Sequence, residues 1–229
     1  MNTSNHQTLI ELEQEARLRA ANLEQGFYNI IDGERVSSER TITVINPANG
    51  KCLASVPDID RSGLDRVVAA ARKAFPGWSE TPVADRRMAL TAVLAEIQKH
   101  TEELSVLFTA EQGRPLAGAR WEIECVTNEF GSAILKTELA QEEKRAESMG
   151  RVIVRYVPLG VVCAISPWNV PFLLSFSKVL PALLTGNTVV LKPSPFTPLT
   201  FFELRTTSAS CLRPESSTRF PAVMSWVHG

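Results

Sequence analysis

The chain has 229 residues, a net charge of −1, 44% hydrophobic residues and 21% charged residues. This length allows one large or two small domains with a real core, and the balanced charge gives no basis for a nucleic-acid or membrane-surface partner. The apolar stretch 172–191 is interrupted by Lys178, Pro181 and Gly186, whereas a membrane span needs about 20 continuous apolar residues. We therefore expect a soluble protein with no membrane partner.

Cysteine usage and the first residues of the chain indicate the cellular compartment. The four cysteines are Cys52, Cys125, Cys163 and Cys211. They form no CxxC pair and are not grouped with histidines, so neither a metal site nor a disulfide framework is expected. Residues 1–25 lack the basic-then-apolar pattern of a secretion signal. A cytoplasmic location with reduced thiols follows as the expectation.

The predicted elements begin with a helical extension over residues 1–25, followed by short strands. Asp32-Gly33 between apolar runs predicts a hairpin, and Pro47 to Gly50 predicts a turn. The strands of this region are expected at 27–31, 41–45 and 52–56. This part of the chain is therefore a helical and hairpin region ahead of the main domain.

Helices and then parallel strands are predicted for the rest of the chain. The helices are expected at 64–75, 82–100, 102–112, from 116 to beyond 139, and at 171–184. The strands are expected at 152–157, 161–165 and 188–191, where β-branched residues are frequent. The continuous apolar character of 188–191 is typical of a strand covered on both faces. The order of elements predicts an α/β fold.

Two polar residues follow the last two predicted strands, where open α/β sheets bind ligands. A side-chain amide such as that of Asn169 can donate to an oxygen that becomes negative during a reaction. The alternative for Asn169 is a helix N-cap. Lys192 can hydrogen-bond ribose hydroxyls or offset phosphate charge, and its alternative is an ordinary surface lysine with a buried stem.

Residues 163–172 (CAISPWNVPF) and 186–195 (GNTVVLKPSP) closely resemble the NAD(P)-dependent aldehyde dehydrogenase superfamily. The resemblance implies that Asn169 helps to hold the oxyanion of the reaction, and that Lys192 and Ser194 contact the adenosine ribose. It also implies a cofactor, NAD or NADP, and a small-molecule aldehyde substrate. The residues that would line the cofactor are Ile165, Ser166, Pro167 and Trp168. Many NAD-preferring members have an acidic residue after the serine, but this chain has Pro195, which leaves the choice of cofactor open.

The resemblance extends more weakly upstream, so residues 26–205 are expected to form a partial cofactor-binding domain. Its fold would be a partial Rossmann-like parallel sheet, and a G-x-G-x-x-G fingerprint is absent, as in the family. Segments such as 111–115 resemble scaffold, and strands near 151–157 resemble the oligomerisation element of a family that forms homo-oligomers.

Two catalytic parts of the family have no match in this sequence. No cysteine has the Gly-Gln context of the nucleophile, and no Glu-Leu-Gly-Gly segment carries a general base. Without a thiolate there is no covalent adduct to oxidise, and Cys163 is expected to be a buried core thiol. The chain therefore resembles an enzyme that oxidises aldehydes to carboxylates, present without these two residues. The alternative is an inactive paralogue that binds nucleotide or co-assembles with full-length subunits.

The tail 206–229 no longer resembles the family. With suitable codons, a shifted reading frame over part of it spells Pro-Gly-Val-Leu-Asn, a run typical of the family. We therefore expect a frame-shifted tail, with a genuinely divergent C-terminus as the alternative; the coding DNA decides between them. With either origin the tail was not selected to pair with the parallel sheet, which predicts poor order after about residue 205.

Overall fold

A three-stranded parallel sheet with helices on both faces forms the centre of the computed structural model, which describes residues 27–32, 34–140, 142–147, 150–208 and 222–224. The fold is α/β, as the order of elements predicts. The predicted N-terminal helix and most of the tail lie outside the described residues. Among the described helices, none combines the length and apolar character needed to cross a bilayer.

Nine strands form four sheets within the described part of the chain. The three antiparallel pairs are β1 with β2, β3 with β4, and β5 with β6, and the parallel sheet has the order β7-β8-β9. The strands are β1 (Asn29–Ile31), β2 (Glu34–Val36), β3 (Thr41–Ile45), β4 (Cys52–Pro57), β5 (Glu142–Glu147), β6 (Gly150–Arg155), β7 (Val161–Ile165), β8 (Thr188–Lys192) and β9 (Ala222–Met224). Asp32 adopts φ 53 between β1 and β2, so the predicted hairpin is confirmed.

The five helical segments predicted after the N-terminal extension are all present, and one further helix, α7, was not predicted. They are α1 (Arg61–Glu80), α2 (Val83–Lys99), α3 (Thr101–Gln112), α4 (Leu116–Cys125), a π-helical turn (Val126–Phe130), α5 (Gly131–Lys136), α6 (Pro171–Leu184) and α7 (Leu199–Ser208). The side chain of Asp60 accepts a hydrogen bond from the Gly63 N–H and caps α1. Gly113 ends α3 in the left-handed region, with φ 84.

Several details differ from the prediction. Strand β2 (Glu34–Val36) was not among the predicted strands. Helix α1 continues through Pro76 to Glu80, and the helical stretch that begins at Leu116 ends at Lys136 instead of continuing beyond 139. Strand β5 was not predicted, because its sequence EEKRAE has neither the alternation nor the β-branched residues of a typical strand.

Another difference concerns the tail. Helix α7 continues to Ser208, and Ala222–Met224 pairs in parallel with β8. This pairing was not predicted. The edge of β8 that faces away from β7 offers backbone N–H and C=O groups, and any short extended segment can form hydrogen bonds with them. The tail residues 209–221 and 225–229 lie outside the described part.

The parallel sheet separates two of the four core clusters of the described residues. Val189 and Leu191 of β8 pack into the larger cluster, which is formed mainly by α2 to α7. Val190, on the opposite face, packs against Val67 and Ala71 of α1. Alternate side chains of β8 therefore enter two different cores, which confirms the prediction of a strand covered on both faces.

The C-terminal end of α6 is held by two side chains from the α1–α2 region. The Trp78 indole donates to the Leu183 carbonyl at 2.9 Å, and Arg86 Nε donates to the Leu184 carbonyl at 3.0 Å. Desolvation lowers the pKa of the buried Arg86 guanidinium. These bonds satisfy carbonyls at a buried helix end and fix α6 relative to the rest of the core.

Candidate functional site

The two strand ends that carry the predicted site are neighbours. Strands β7 and β8 are parallel, with Ile165 opposite Lys192 in register, and the Ser166 N–H donates to the Lys192 carbonyl at 3.1 Å. Because the carboxyl ends of parallel strands share one edge of the sheet, residues 165–169 and 192–194 meet there. The prediction that the two ends are adjacent is confirmed.

The end of β7 presents apolar side chains beside a buried hydroxyl. Ile165 is 60% exposed and Trp168 is 57% exposed, whereas Ser166 is 5% exposed. Pro167 and Asn169 are also exposed. Within the described residues, Ser166 Oγ is a buried polar atom that has no hydrogen-bond partner. Such an atom is uncommon in a folded protein, and it gives this edge an unused donor and acceptor for a ligand.

The end of β8 turns sharply after Lys192. Ser194 is buried, its Oγ accepts from the Phe196 N–H at 3.3 Å, and its hydroxyl proton can still donate. The half-buried Lys192 and the exposed Phe196 flank this turn. The arrangement offers a cation, a hydroxyl and an aromatic ring, groups suited to a ribose and an adjacent ring system. The residues present therefore fit a nucleotide.

The loop that carries Asn169 is bound by side chains from another part of the chain. Gln112 Nε2 donates to the carbonyls of Trp168 at 3.3 Å and Asn169 at 3.1 Å. Arg114 Nη2 donates to the same Asn169 carbonyl at 3.0 Å. Helix α6 begins at Pro171 with Val170 as its N-cap residue. The alternative that Asn169 serves as the N-cap is therefore wrong.

A buried carboxylate caps α6 instead. Glu122 Oε1 accepts from the N–H groups of Phe172 at 2.8 Å and Leu173 at 3.0 Å, and the other oxygen pairs with Arg114. Desolvation raises the pKa of Glu122, while these two N–H groups and Arg114 oppose the rise. A carboxylate at a helix N-terminus also interacts favourably with the helix dipole.

A second buried carboxylate caps α7 in the same way. Glu111 accepts from the Leu199 N–H at 2.6 Å and from the N–H and hydroxyl of Thr200 at 3.0 and 2.5 Å. Burial raises the pKa of Glu111 to about 7, against the effect of these hydrogen bonds. Both helices that follow the site strands are thus anchored by carboxylates of the α3–α4 region.

The importance of these anchoring residues was not recognised from the sequence, which assigned 111–115 to the scaffold and did not single out Glu122. A signal for Glu122 exists, since it lies on one apolar stripe with Ala119, Ile123 and Val126, all buried. A carboxylate on a buried stripe requires polar partners. Gln112 and Arg114 lack such a signal, because their partners are carbonyls more than fifty residues away.

Cys163 corrects another expectation. It is exposed, not a buried core thiol. Its side chain shares a face of β7 with Val161 and Ile165, and of these three only Val161 packs against the α1 cluster. The α1 cluster therefore does not cover this face of β7 as far as Cys163. The local sequence does not show where this cover ends.

The fold and the site define an α/β protein with a ligand-binding edge at adjacent parallel strand ends. The aldehyde dehydrogenase family model matches residues 35–216, and the chain belongs to this family. The match continues beyond the domain boundary near 205 that the sequence predicts, and that boundary remains a prediction.

Curated relatives support the same assignment. The chain is 44% identical over 169 residues to a 3,6-anhydro-alpha-L-galactose dehydrogenase of Streptomyces coelicolor, covering 73% of this chain and 34% of the relative. It is 38% identical over 174 residues to the D-glyceraldehyde dehydrogenase (NADP(+)) of Picrophilus torridus, covering 74% and 35%. The chain thus spans about a third of the length of these relatives.

Solved structures agree with the sequence relatives. The betaine aldehyde dehydrogenase of Staphylococcus aureus, solved in complex with NAD+, superposes with a TM-score of 0.80 at 27% identity. The alignment covers 93% of this chain and 43% of that one. The described part of the chain therefore shares the fold of this structure.

Proposed function

We propose that this chain supplies part of the NAD(P) cleft and the oxyanion donor of an enzyme that oxidises a small aldehyde to a carboxylate. The observation that carries the proposal is the pairing of Ile165 with Lys192, which brings Trp168, Asn169 and Ser194 to one edge. NAD(P)+ would supply the electron acceptor of the reaction. The names of the 3,6-anhydro-alpha-L-galactose, D-glyceraldehyde and betaine aldehyde dehydrogenases reported above support the reaction class.

The residues at this edge have separate roles in the proposal. Ile165, Pro167 and Trp168 provide apolar surface for the cofactor, and the buried Ser166 hydroxyl provides its unused hydrogen-bonding capacity. Lys192 and Ser194 bind the adenosine ribose. The amide of Asn169 donates to the oxygen that gains negative charge, an interaction that contributes about 3–4 kcal/mol in comparable sites.

The chemistry also requires a thiolate nucleophile and a general base, and no segment of this sequence matches the family's motifs for either. We propose that the chain alone binds nucleotide without turning over an aldehyde. The paired strands β5 and β6 are the proposed contact with further subunits, and the cytoplasm is the proposed location.

Calorimetric titration of the purified chain with NAD+ and NADP+ tests the cofactor assignment. Saturable binding of at least one nucleotide is expected, and Lys192→Met should weaken it about tenfold through loss of its contacts to the nucleotide. Lys178→Met is the matched control, because Lys178 is an exposed lysine on α6 that donates to Leu174 of its own helix. A folded chain that binds neither nucleotide would refute the cofactor assignment.

An activity assay with a panel of aldehydes and both nucleotides tests the second part. Only background turnover is expected from the chain alone. Turnover above background that disappears in Asn169→Ala would show that the chain contains its own nucleophile, contrary to the proposal. Nucleotide binding without turnover also fits a co-assembling paralogue, which co-purification with a full-length family member would identify.

A further inference from the structure

The backbone that presents the Asn169 amide is bound from a separate segment of the chain. Residues 168–170 form bends between β7 and α6. In such a connection no regular secondary structure fixes the direction of a side chain. The Asn169 carbonyl nevertheless accepts from two side chains, Gln112 and Arg114. Two donors on one exposed carbonyl define the orientation of that peptide more closely than the loop could alone.

Arg114 is itself held in one orientation. Its Nε donates to Gln112 Oε1 at 3.1 Å, and its Nη1 donates to the Gly118 carbonyl at 3.3 Å and to Glu122. The guanidinium lies 5.1 Å from the centre of the Phe108 ring. A planar fork with this many fixed partners has little freedom. These contacts therefore determine where Arg114 Nη2 lies when it donates to the Asn169 carbonyl.

The ion pair of Arg114 with Glu122 also contacts the chain on the C-terminal side of Asn169. Glu122 accepts from the N–H groups of Phe172 and Leu173, the second and third residues of α6. The loop is thus held before the helix by Arg114 and at the helix start by the carboxylate that Arg114 binds. Glu122 itself is fully buried, and so is its hydrogen bond to the Phe172 N–H. The Arg114–Glu122 pair therefore contacts the chain at Asn169 and at Phe172 and Leu173.

We propose that Arg114, with Gln112, is a positioning residue that sets the direction of the Asn169 amide. The inference rests on the proposed oxyanion role of Asn169. A donor contributes to such a role only when it is aimed at the place where the charge develops, and a displacement of about 1 Å can cost about 100-fold in rate. A purely structural role for Arg114 would instead stabilise the α3–α4 connection and leave the Asn169 amide unchanged.

The test uses the full chain without nucleotide and follows two nuclear magnetic resonance signals. The first is the side-chain NH₂ correlation of Asn169, assigned by its loss in Asn169→Ala. The second is hydrogen exchange at the Phe172 and Leu173 amides. Arg114→Gln should shift or broaden the first signal and accelerate exchange at both amides by about tenfold or more, because the charged partner of Glu122 is lost.

Arg114→Lys separates positioning from general stabilisation. A lysine can pair with Glu122 but, as a single ammonium group, lacks the fork that reaches the Asn169 carbonyl at the same time. The variant should therefore restore slow exchange at Phe172 and Leu173 while the Asn169 signal stays displaced. Arg120→Gln is the matched control, because Arg120 pairs with the exposed Glu102 on the protein surface, and it should leave both signals at their wild-type values.

Gln112→Ala provides a second, milder test if Arg114→Gln does not fold. It removes the donors to the Trp168 and Asn169 carbonyls from a half-buried residue and should displace the Asn169 signal alone. An unchanged Asn169 signal in the folded Arg114 and Gln112 variants would overturn the proposal, as would full restoration of it in Arg114→Lys. Because no nucleotide is present in this test, a failure of cofactor binding would not affect the result for Arg114 and Gln112.

Discussion

Replacement of Glu111 by glutamine should change how the stability of the protein depends on pH. Glu111 is buried and accepts three hydrogen bonds from Leu199 and Thr200 at the start of α7. Glutamine has nearly the same shape but only one oxygen, so at least one of the three donors loses its acceptor. An unsatisfied buried donor costs about 1–3 kcal/mol. Glu111→Gln should therefore be destabilising in weakly acidic solution.

The pH dependence follows from the raised pKa of Glu111, about 7 in the folded protein against the ordinary value of 4.5. Between these values the folded protein retains a proton that the unfolded chain has released. The stabilisation linked to this proton is fully present below about pH 4.5 and is lost as the pH rises to about 7. The loss is ~3 kcal/mol in total, at most ~1.4 kcal/mol per pH unit.

Urea unfolding at pH 5, 6, 7 and 8 measures the effect. The glutamine of Glu111→Gln does not titrate. Relative to this variant, the free energy of unfolding of the wild type should fall by ~3 kcal/mol as the pH rises from the ordinary to the raised pKa of Glu111. This corresponds to a decrease of roughly 1–3 M in the urea midpoint. Glu124→Gln, which removes an exposed carboxylate of α4, is the control and should follow the wild type. Parallel curves for wild type and Glu111→Gln would refute the reasoning. So would a wild type that gains stability with pH, because the hydrogen bonds would then outweigh desolvation.

Two further substitutions test the local packing by urea unfolding. Gly113→Ala should cost roughly 2–5 kcal/mol, because an alanine there is strained at φ +84 and its Cβ would lie 2.7 Å from Pro47 Cγ. Gly50→Ala is the control with φ +69 and open space around it, so only about 1–2 kcal/mol is expected; equal losses would contradict the packing argument. Trp78→Phe should cost about 1–3 kcal/mol because the buried Leu183 carbonyl loses its indole donor, and an unchanged midpoint would show that this bond adds no net stability.

The regular elements were predictable because their signals are local. Periodicity and terminating residues were sufficient for α3, which ends at Gly113, and for α6, which covers Pro171–Leu184. Strand β5 was missed because its pairing with Gly150–Arg155, rather than its own composition, makes it a strand. The pairing of Ala222–Met224 with β8 was likewise invisible, since a short segment far along the chain satisfies the open strand edge.

Of the candidate site, only the residues that follow the two strand ends were predictable from the sequence. The positions of Asn169 and Lys192 follow from strand ends and from resemblance to the family, and their adjacency follows from the parallel arrangement. The residues that hold them do not follow from local pattern. Arg114 and Glu111 act on backbone groups 55 and 88 residues away, so their function depends on a packing of helices that no sequence window contains.

The two carboxylate caps also explain how this edge differs from an ordinary dinucleotide site. In the glycine-rich fold the pyrophosphate binds free N–H groups at a helix N-terminus. In α6, Pro171 has no N–H, Glu122 takes those of Phe172 and Leu173, and the Leu174 N–H bonds to Val170 within the chain.

Helix α7 is closed in the same manner. Glu111 takes its first two N–H groups, and the next two bond to the Pro198 carbonyl. At both starts the N–H groups that a phosphate would bind are therefore already occupied. The described starts of α6 and α7 thus offer no glycine-rich turn with free N–H groups, and the proposed nucleotide site relies on side chains such as Lys192.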